Sequence, residues 1–168
     1  MSAHLITAEA RTRRGRVRAH IYGDDYPAEQ VRRPTRHVLA MFAGRAPANA
    51  RGCFLNEQRT ERMIRFGQMI FVPAGVGIFG SGPGGAHKML SYQVDPDASE
   101  TFRRIEGAWD ERDLDRFGDI RCERLAATMR RLGQEIASPG FASDLLIEGM
   151  TATLEVDLIR HLRRHAPP

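Results

Sequence analysis

The sequence lacks the marks of membrane, secreted and zinc-binding proteins. Its longest apolar run, residues 69–80, is interrupted by Pro73 and falls short of the roughly 20 apolar residues of a membrane helix. No apolar segment adjoins the N-terminal arginines, so no secretory signal is predicted and we expect a cytoplasmic protein without a membrane partner. Cys53 and Cys122 form no C-x-x-C pair, which argues against a disulfide framework or a zinc motif.

Lysine is also scarce, and the charges are unevenly distributed. Arginine supplies all of the 25 basic residues except Lys88. Residues 1–94 carry 14 basic and 6 acidic side chains, whereas residues 95–168 carry 11 basic and 15 acidic ones. The pI near 9.7 is weak evidence for a nucleic-acid partner, and the change of sign near residue 95 indicates two parts of different kind.

The first part has the pattern of a strand-and-turn domain. With 168 residues, 42% hydrophobic and 27% charged, the chain is one globular domain, or one domain with a helical extension. Glycine and proline divide residues 16–94 into short apolar or alternating segments. The predicted strands are Arg16–Gly23, His37–Ala43, Gly52–Leu55, Gln68–Val72, Val76–Phe79 and His87–Val94. Residues 1–95 are therefore assigned to this strand-and-turn domain.

The periodicity becomes helical after residue 95. Apolar residues between Ile120 and Ile136 form one helical stripe that stops at Ser138-Pro139-Gly140. A second helix is predicted from Ser143, a suitable N-cap, to Arg164. The short link requires an antiparallel helical hairpin, so residues 96–168 are predicted to be a helical region.

The second predicted helix is apolar on more than one side, because Leu145, Leu146, Val156 and Ile159 lie outside its main stripe. Two explanations remain open: the surplus surface packs within the chain, or it meets a second subunit. The interface residues predicted for a homodimer are Leu146, Met150, Leu154 and Ile159.

Gly75, Gly77 and Gly80 match the dinucleotide pattern G-x-G-x-x-G. That pattern works only where a helix begins at the third glycine, and here Ser81-Gly82-Pro83 follows, which cannot start a helix. A glycine-rich hairpin is predicted instead, and no cofactor is expected.

The segment Gly67–Gly75 resembles the second conserved motif of the cupin barrels, G-x5-P-x-G-x2-H. In metal-bearing cupins the final histidine is a ligand, and the corresponding position here is Ile78. If the first cupin motif is anchored on Gly44, its glutamate position falls on His37 and its upstream ligand positions fall within residues 30–33, which contain no histidine. A divalent metal needs three or four ligands, so the resemblance implies a metal-free barrel.

A small closed barrel encloses a cavity, so the barrel is predicted to be a container. The resemblance implies that His37 faces the interior of the barrel, and strand alternation then places Leu39 and Met41 beside it. The predicted ligand-binding residues are His37, Leu39, Met41, Phe71, Ile78 and Tyr92. The alternative is that these side chains only fill the core. Arg33 and Arg36, with Arg32 beside them, are candidate contacts for an anion, or else a solvated face.

A cupin-like barrel followed by an antiparallel helix pair resembles the N-terminal domain of AraC-type transcription regulators. Pro96-Asp-Ala-Ser after the last strand and Glu155-x-x-Leu158-Ile159-x-x-Leu162 in the last helix carry this resemblance, which covers about residues 16–164. It implies effector binding in the barrel and dimerisation through the hairpin. DNA binding would require a C-terminal helix-turn-helix domain that this sequence does not contain. The Pro-Pro ending favours an excised sensor domain over a stand-alone relative.

Two functions compete. The first is the small-molecule-sensing and dimerisation domain of a transcription regulator, and the second is a metal-free cupin enzyme, isomerase or epimerase-like, that uses His37 or His87 as general base. An enzyme of this kind needs a paired acid and base, yet the only carboxylates between Arg36 and Val94 are Glu57 and Glu61, in a polar stretch. A non-enzymatic sensor domain is therefore preferred.

Overall fold

The computed structural model describes residues 4–44, 47–55, 62–103 and 109–163. Within these ranges the chain forms strands first and helices second. The strands are β1 His4–Arg11, β2 Gly15–Tyr22, β3 Glu29–Arg32, β4 His37–Phe42, β5 Arg51–Leu55, β6 Ile64–Arg65, β7 Met69–Val72, β8 Gly77–Ser81 and β9 His87–Val94. A 3-10 turn at Pro96–Ala98 leads into α1 Glu100–Arg103, α2 Glu111–Phe117, α3 Glu123–Ala137 and α4 Ser143–Arg163.

The strands form two antiparallel sheets, ordered β1-β2-β9-β4-β7 and β3-β8-β5-β6. The pairs β2 with β9, β3 with β8, β4 with β7 and β5 with β6 are nested, as if one long hairpin had been rolled up. This connectivity is the jelly roll that cupins share with other double-sheet proteins. The predicted α+β fold, a cupin-like antiparallel barrel followed by a helical hairpin, is confirmed.

Three strands in the described ranges were not predicted from the sequence. β1 pairs with β2 through a register shift between Ile6 and Ala8, which breaks the alternation that would reveal a strand. β3 is charged and polar except for Val31, and β6 is only two residues long. Each is held by its sheet partner, a tertiary contact that local pattern does not encode.

Strands β4 and β7 of the five-stranded sheet are largely buried on both faces, whereas the edge strand β1 is mostly exposed. On one face, Leu39 of β4 lies opposite Phe71 of β7 and Tyr92 of β9, so these three side chains point the same way. They point toward the helices: the His37 ring stacks on Phe102 of α1 at 4.7 Å between centroids. The opposite face of the same strands faces the other sheet. One face of the sheet therefore packs against the helices, and the other faces the second sheet.

The helices cover the outer face of the five-stranded sheet and share one hydrophobic core with it. Asp110 and Asp113 form a capping box that starts α2, and this helix buries Leu114 and Phe117. Gly133 lets α3 approach β9 closely, because a Cβ atom there would lie 3.2 Å from a methyl group of Leu90. None of the helices in the described ranges is long and apolar enough to cross a bilayer.

Candidate ligand-binding cavity

A cavity of about 610 Å³ lies between the two sheets. This volume falls within the range of roughly 300–1,000 Å³ that is typical of small-molecule sites. The five-stranded sheet contributes the second face of its central strands, through Val38, Ala40, Phe42, Ile70, Val72, Met89, Ser91 and Gln93. The opposite side contributes Phe66, Ile78 and Gly80 together with the loop at residues 82–84. Most of the wall is therefore apolar.

Strand register explains which residues line the cavity. Ala40 lies opposite Ser91 on one side and Ile70 on the other, and Val38 lies opposite Gln93 in the next row. Residues that face each other across a ladder project to the same side of the sheet. The even-numbered positions of β4 therefore point into the cavity, and the odd-numbered ones point at the helices.

Aromatic and imidazole rings gather at one end of the cavity. This ring cluster consists of His4, His20, Tyr22, Tyr26 and His87. The Tyr22 ring is stacked between His4 and His87, with both centroid distances at 4.5 Å. Tyr26 meets Tyr22 and His87 edge-on, at 4.4 and 4.7 Å. Such mutually supporting rings form a rigid platform on which a planar ligand group can stack.

His20 connects the ring cluster to the cavity wall. Its Nδ1 lies 2.9 Å from His4 Nε2, and its Nε2 lies 2.8 Å from Ser91 Oγ. Burial, reinforced by the charges of His4, Arg18 and Arg32, lowers the pKa of His20 to about 4. The ring is therefore neutral near pH 7, so it presents one donor and one acceptor and no charge.

His87 is oriented by its own loop. Its Nδ1 lies 2.9 Å from the Gly85 carbonyl oxygen, which can only accept a hydrogen bond, so Nδ1 carries the proton. In a neutral His87 ring, Nε2 consequently holds the lone pair. This tautomer could act as a hydrogen-bond acceptor or as a base.

Arg32 extends from β3 toward the opposite sheet. Its Nε donates to Gln30 Oε1 at 2.9 Å, and its Nη2 donates to the Tyr26 hydroxyl at 3.2 Å. The Tyr26 hydroxyl donates in turn to Gln30 Oε1 at 2.7 Å. The guanidinium carbon lies 5.9 Å from the centroid of the Tyr22 ring. Arg32 is thus held by neutral groups beside the ring cluster.

The structure corrects the predicted orientation of most candidate ligand-binding residues. Ile78 lines the cavity, whereas the helix-facing side of the sheet holds His37, Leu39, Met41, Phe71 and Tyr92. The alternation along the strands was assigned correctly from the sequence, but the wrong face of the sheet was assigned to the cavity. Because β4 is apolar after His37 and largely buried on both faces, alternation alone could not say which face meets the cavity.

Of the two candidate anion contacts, Arg33 lines the cavity and Arg36 does not. Arg33 lines the cavity and donates from Nη1 to the Gly75 carbonyl oxygen at 3.2 Å, and Arg32 lines it as well. Arg36 is not among the lining residues and pairs instead with Asp95, at 3.6 Å between Nη2 and the carboxylate. The prediction for Arg36 as a ligand contact is therefore corrected, because its charge already has a partner outside the cavity.

The predicted dimer-interface residues are mostly core residues of this chain. Met150, Leu154 and Ile159 are buried against the sheet and the neighbouring helices, and only Leu146 is half-buried. Leu154 and Ile159 are covered within the chain, whereas Leu146 and Met150 line a shallow groove on the surface of the hairpin. The apolar residues that the hairpin does expose are Phe141, Leu145 and Val156.

The cavity contains no carboxylate and no metal-ligand cluster within the part of the chain that the structure describes. No aspartate or glutamate is among its lining residues, and no group of three or more histidine, cysteine, aspartate or glutamate side chains could hold a metal ion there. Glu57 and Glu61, the two carboxylates weighed from the sequence, lie outside the described residues.

Sequence reasoning missed most of the ring cluster. Positions 16, 18, 20 and 22 of β2 carry polar or aromatic side chains that alternate with Val17, Ala19 and Ile21. Such alternation by itself predicts that the polar face is solvated. Its last two residues, His20 and Tyr22, instead line the cavity. Aromatic residues at the end of an otherwise polar strand face were the available signal.

No protein-family profile and no curated protein sequence matches the chain. Among solved structures it is similar to a cupin superfamily protein from Desulfitobacterium hafniense, with 17% identity, a TM-score of 0.36, and coverage of 56% of this chain and 77% of that one. It is similar to the Clostridium difficile EutQ protein, with 11% identity, a TM-score of 0.37, and coverage of 56% and 64%. It is also similar to the Drosophila melanogaster CENP-C cupin domain, with 8% identity, a TM-score of 0.33, and coverage of 46% and 55%. At these values the likeness says nothing about what the chain binds.

Proposed function

We propose that this chain is a small-molecule-sensing and dimerisation domain of a transcription regulator, as its resemblance to AraC-type sensor domains implies. The observation that carries the proposal is the cavity between the sheets, with apolar walls and a few convergent polar groups at one end. Such cavities are the usual form of a small-molecule site. The absence of a carboxylate among the described lining residues favours binding over acid–base chemistry.

The exposed surface of the helical hairpin supports the dimerisation part of the proposal. Leu145 is 76% exposed and Val156 is 42% exposed, both on α4, and Phe141 projects fully into solvent from the turn before it. Beside them a shallow groove is formed by Thr128 and Arg131 of α3 together with Gly149 of α4. Burying such a surface in a symmetric dimer would remove it from water.

Strand β9 offers a physical route by which binding could be sensed. Ser91 and Gln93 face the cavity, while the alternate residues Leu90 and Tyr92 contact α3 and α4 from the other side. A ligand with different affinity for two positions of this strand would shift the population of hairpin arrangements. In this proposal, ligand occupancy is reported through β9 to the dimer surface.

One observation favours an enzyme as the second candidate. His87 lines the cavity, and because its Nδ1 donates to the Gly85 carbonyl, Nε2 is the nitrogen left to act as a general base, whereas His37 lies on the helix side and cannot serve. An isomerase or epimerase would also require an acid opposite this base. Measurable turnover of a bound compound that is lost in His87→Gln would favour the enzyme over the sensor.

The proposal is tested by a thermal-shift screen of aromatic acids, fatty acids, sugars and neutral aromatic compounds. A compound that binds the native state raises the melting temperature in proportion to RT ln(1 + [L]/Kd). Ala40→Phe fills the cavity from its buried wall, and Ala127→Phe adds the same ring at an exposed position of α3. We expect stabilisation that Ala40→Phe abolishes and Ala127→Phe preserves. If no class of compound stabilises the chain, or if Ala40→Phe has no effect on the stabilisation, the sensor proposal fails.

A further inference from the structure

The formal charge in the cavity is of one sign. Arg32 and Arg33 are the charged residues other than histidine among the described lining residues, and neither makes an ion pair within the described part of the chain. Other arginines nearby are already neutralised: Arg18 pairs with Glu9, and Arg36 pairs with Asp95. A cation at the edge of an apolar cavity favours a ligand that brings the opposite charge.

Arg32 is held in position and still has donors to offer. A guanidinium has five N–H groups, and two of them donate to Gln30 and to the Tyr26 hydroxyl. The other three have no acceptor among the described residues. Arg32 is exposed, and because the two acceptors that fix it are neutral, no carboxylate among the described residues neutralises its charge. Its planar fork matches the two oxygens of a carboxylate.

The rest of the cavity constrains the ligand further. Away from Arg32 the wall consists mainly of Val38, Ala40, Val72 and Ile78, which offer no hydrogen bonds. The several hydroxyl groups of a sugar would lose their water there without replacement. An alkyl or aryl group would instead be stabilised by burial. The Tyr22 ring, whose two faces stack on His4 and His87, lies beside the charge, with 5.9 Å between its centroid and the guanidinium carbon of Arg32.

We propose that the ligand is a small amphipathic carboxylic acid whose carboxylate binds Arg32 and whose apolar part fills the cavity between β4 and β8. This inference rests on the proposed sensor function and names the chemical class of its effector. Ser91, whose Oγ lies 2.8 Å from His20 Nε2, faces the cavity from the opposite sheet and is placed to bind one further polar group of the ligand. Sugars and sugar phosphates are outside this class.

The probes are 3-phenylpropanoate and its neutral isostere 3-phenylpropanamide, with octanoate and glucose 6-phosphate as further arms. Calorimetric titration of the whole chain at pH 7 should give an affinity for 3-phenylpropanoate about tenfold or more above that for the amide, since a charge-assisted hydrogen bond accounts for such a factor. If octanoate, which has no aromatic ring, also binds, then the carboxylate of the ligand and not an aromatic group is the main requirement for binding. Glucose 6-phosphate should not bind measurably.

Arg32→Gln should weaken 3-phenylpropanoate about tenfold or more while leaving the affinity for the amide nearly unchanged. Arg36→Gln is the matched control, because Arg36 carries the same charge outside the lining residues and should leave both affinities unchanged. Arg32→Lys keeps the charge but loses the fork, so its affinity should fall between those of the wild type and Arg32→Gln. The circular dichroism spectrum of each variant verifies its fold.

Equal affinities for the acid and the amide, or unchanged acid binding by Arg32→Gln, would overturn this inference and leave the sensor proposal standing. The inference also fails, and the sensor proposal stands, if neutral compounds bind in a way that Ala40→Phe abolishes while no acid binds. If no probe and no neutral compound binds, the sensor proposal falls together with the inference.

Discussion

The Tyr92 hydroxyl donates a hydrogen bond to Glu155 Oε1, with 2.5 Å between the oxygens, at the boundary between the barrel and helix α4. Both residues are buried. Glu155 also accepts from Ser99 Oγ at 3.1 Å, and the partly exposed Arg14 guanidinium lies 3.9 Å from its other carboxylate oxygen. A carboxylate in the core is tolerated only when its oxygens are bonded in this way. This network ties the last helix to β9.

Tyr92→Phe should lower the free energy of unfolding by about 1–3 kcal/mol, because it leaves a buried carboxylate oxygen without its donor. Tyr26→Phe is the matched control, since Tyr26 is only half-buried and donates to the neutral Gln30 side chain. Urea denaturation measures both variants. A Tyr92→Phe variant as stable as Tyr26→Phe would mean that the Glu155 network contributes little.

The stability of the fold should depend on pH through His20. Its pKa is lowered from an ordinary value of 6.5 to about 4, first by burial and then by the charges of His4, Arg18 and Arg32. As the pH falls below 6.5, the unfolded chain binds a proton that the folded chain does not bind until about pH 4. The free energy of unfolding should therefore decrease across this window, by at most about 3 kcal/mol, and should level off below it.

Urea denaturation at intervals between pH 7 and pH 4 measures this slope. His20→Gln should flatten this pH dependence, because the titrating group is gone. His161→Gln on α4 should leave the contribution of His20 to the slope in place. A His20→Gln variant with the slope of the wild type would show that other groups cause the pH dependence.

The chain is expected to form a twofold dimer through the exposed face of the hairpin, and Leu145→Glu should weaken that dimer by placing a charge in an apolar interface. Val31→Glu is the matched control: Val31 is 67% exposed, against 76% for Leu145, but lies on β3 of the barrel. Sedimentation at tens of micromolar reports the mass. A monomeric wild type, or equal dissociation of the two variants, would contradict the dimer surface.

The purified chain should contain no stoichiometric zinc, iron, manganese or nickel. Ile78 stands where the cupin motif has a histidine ligand, and it forms part of the apolar wall. A divalent ion bound without three or four protein ligands exchanges readily with solvent. Elemental analysis of protein purified without chelator is the measurement, and one metal ion per chain would overturn both the metal-free interpretation and the description of the cavity as a container.

Much of the architecture was predictable from local pattern. The sequence pattern identified strands β2 and β9, and the apolar stripe predicted from Ile120 to Ile136 identified α3, although Ile120 itself lies before that helix. The start of α4 at Ser143 was also predicted. These features depend on interactions between near neighbours in sequence, which is why sequence reasoning finds them. The ring cluster depends on contacts between β1, β2, the following loop and β9, and the local pattern indicates it only through the aromatic end of the polar face of β2.

The sequence by itself determined the alternation of β4 and the two apolar sides of α4. It did not determine which side faces what, because an apolar strand or helix that is buried on more than one side carries the same pattern in either orientation. The tertiary structure decided that Ala40 lines the cavity while Leu39 meets the helices. It also decided that Ile159 is buried within the chain while Leu145 remains exposed, since the sheet and α3 cover only part of α4's circumference.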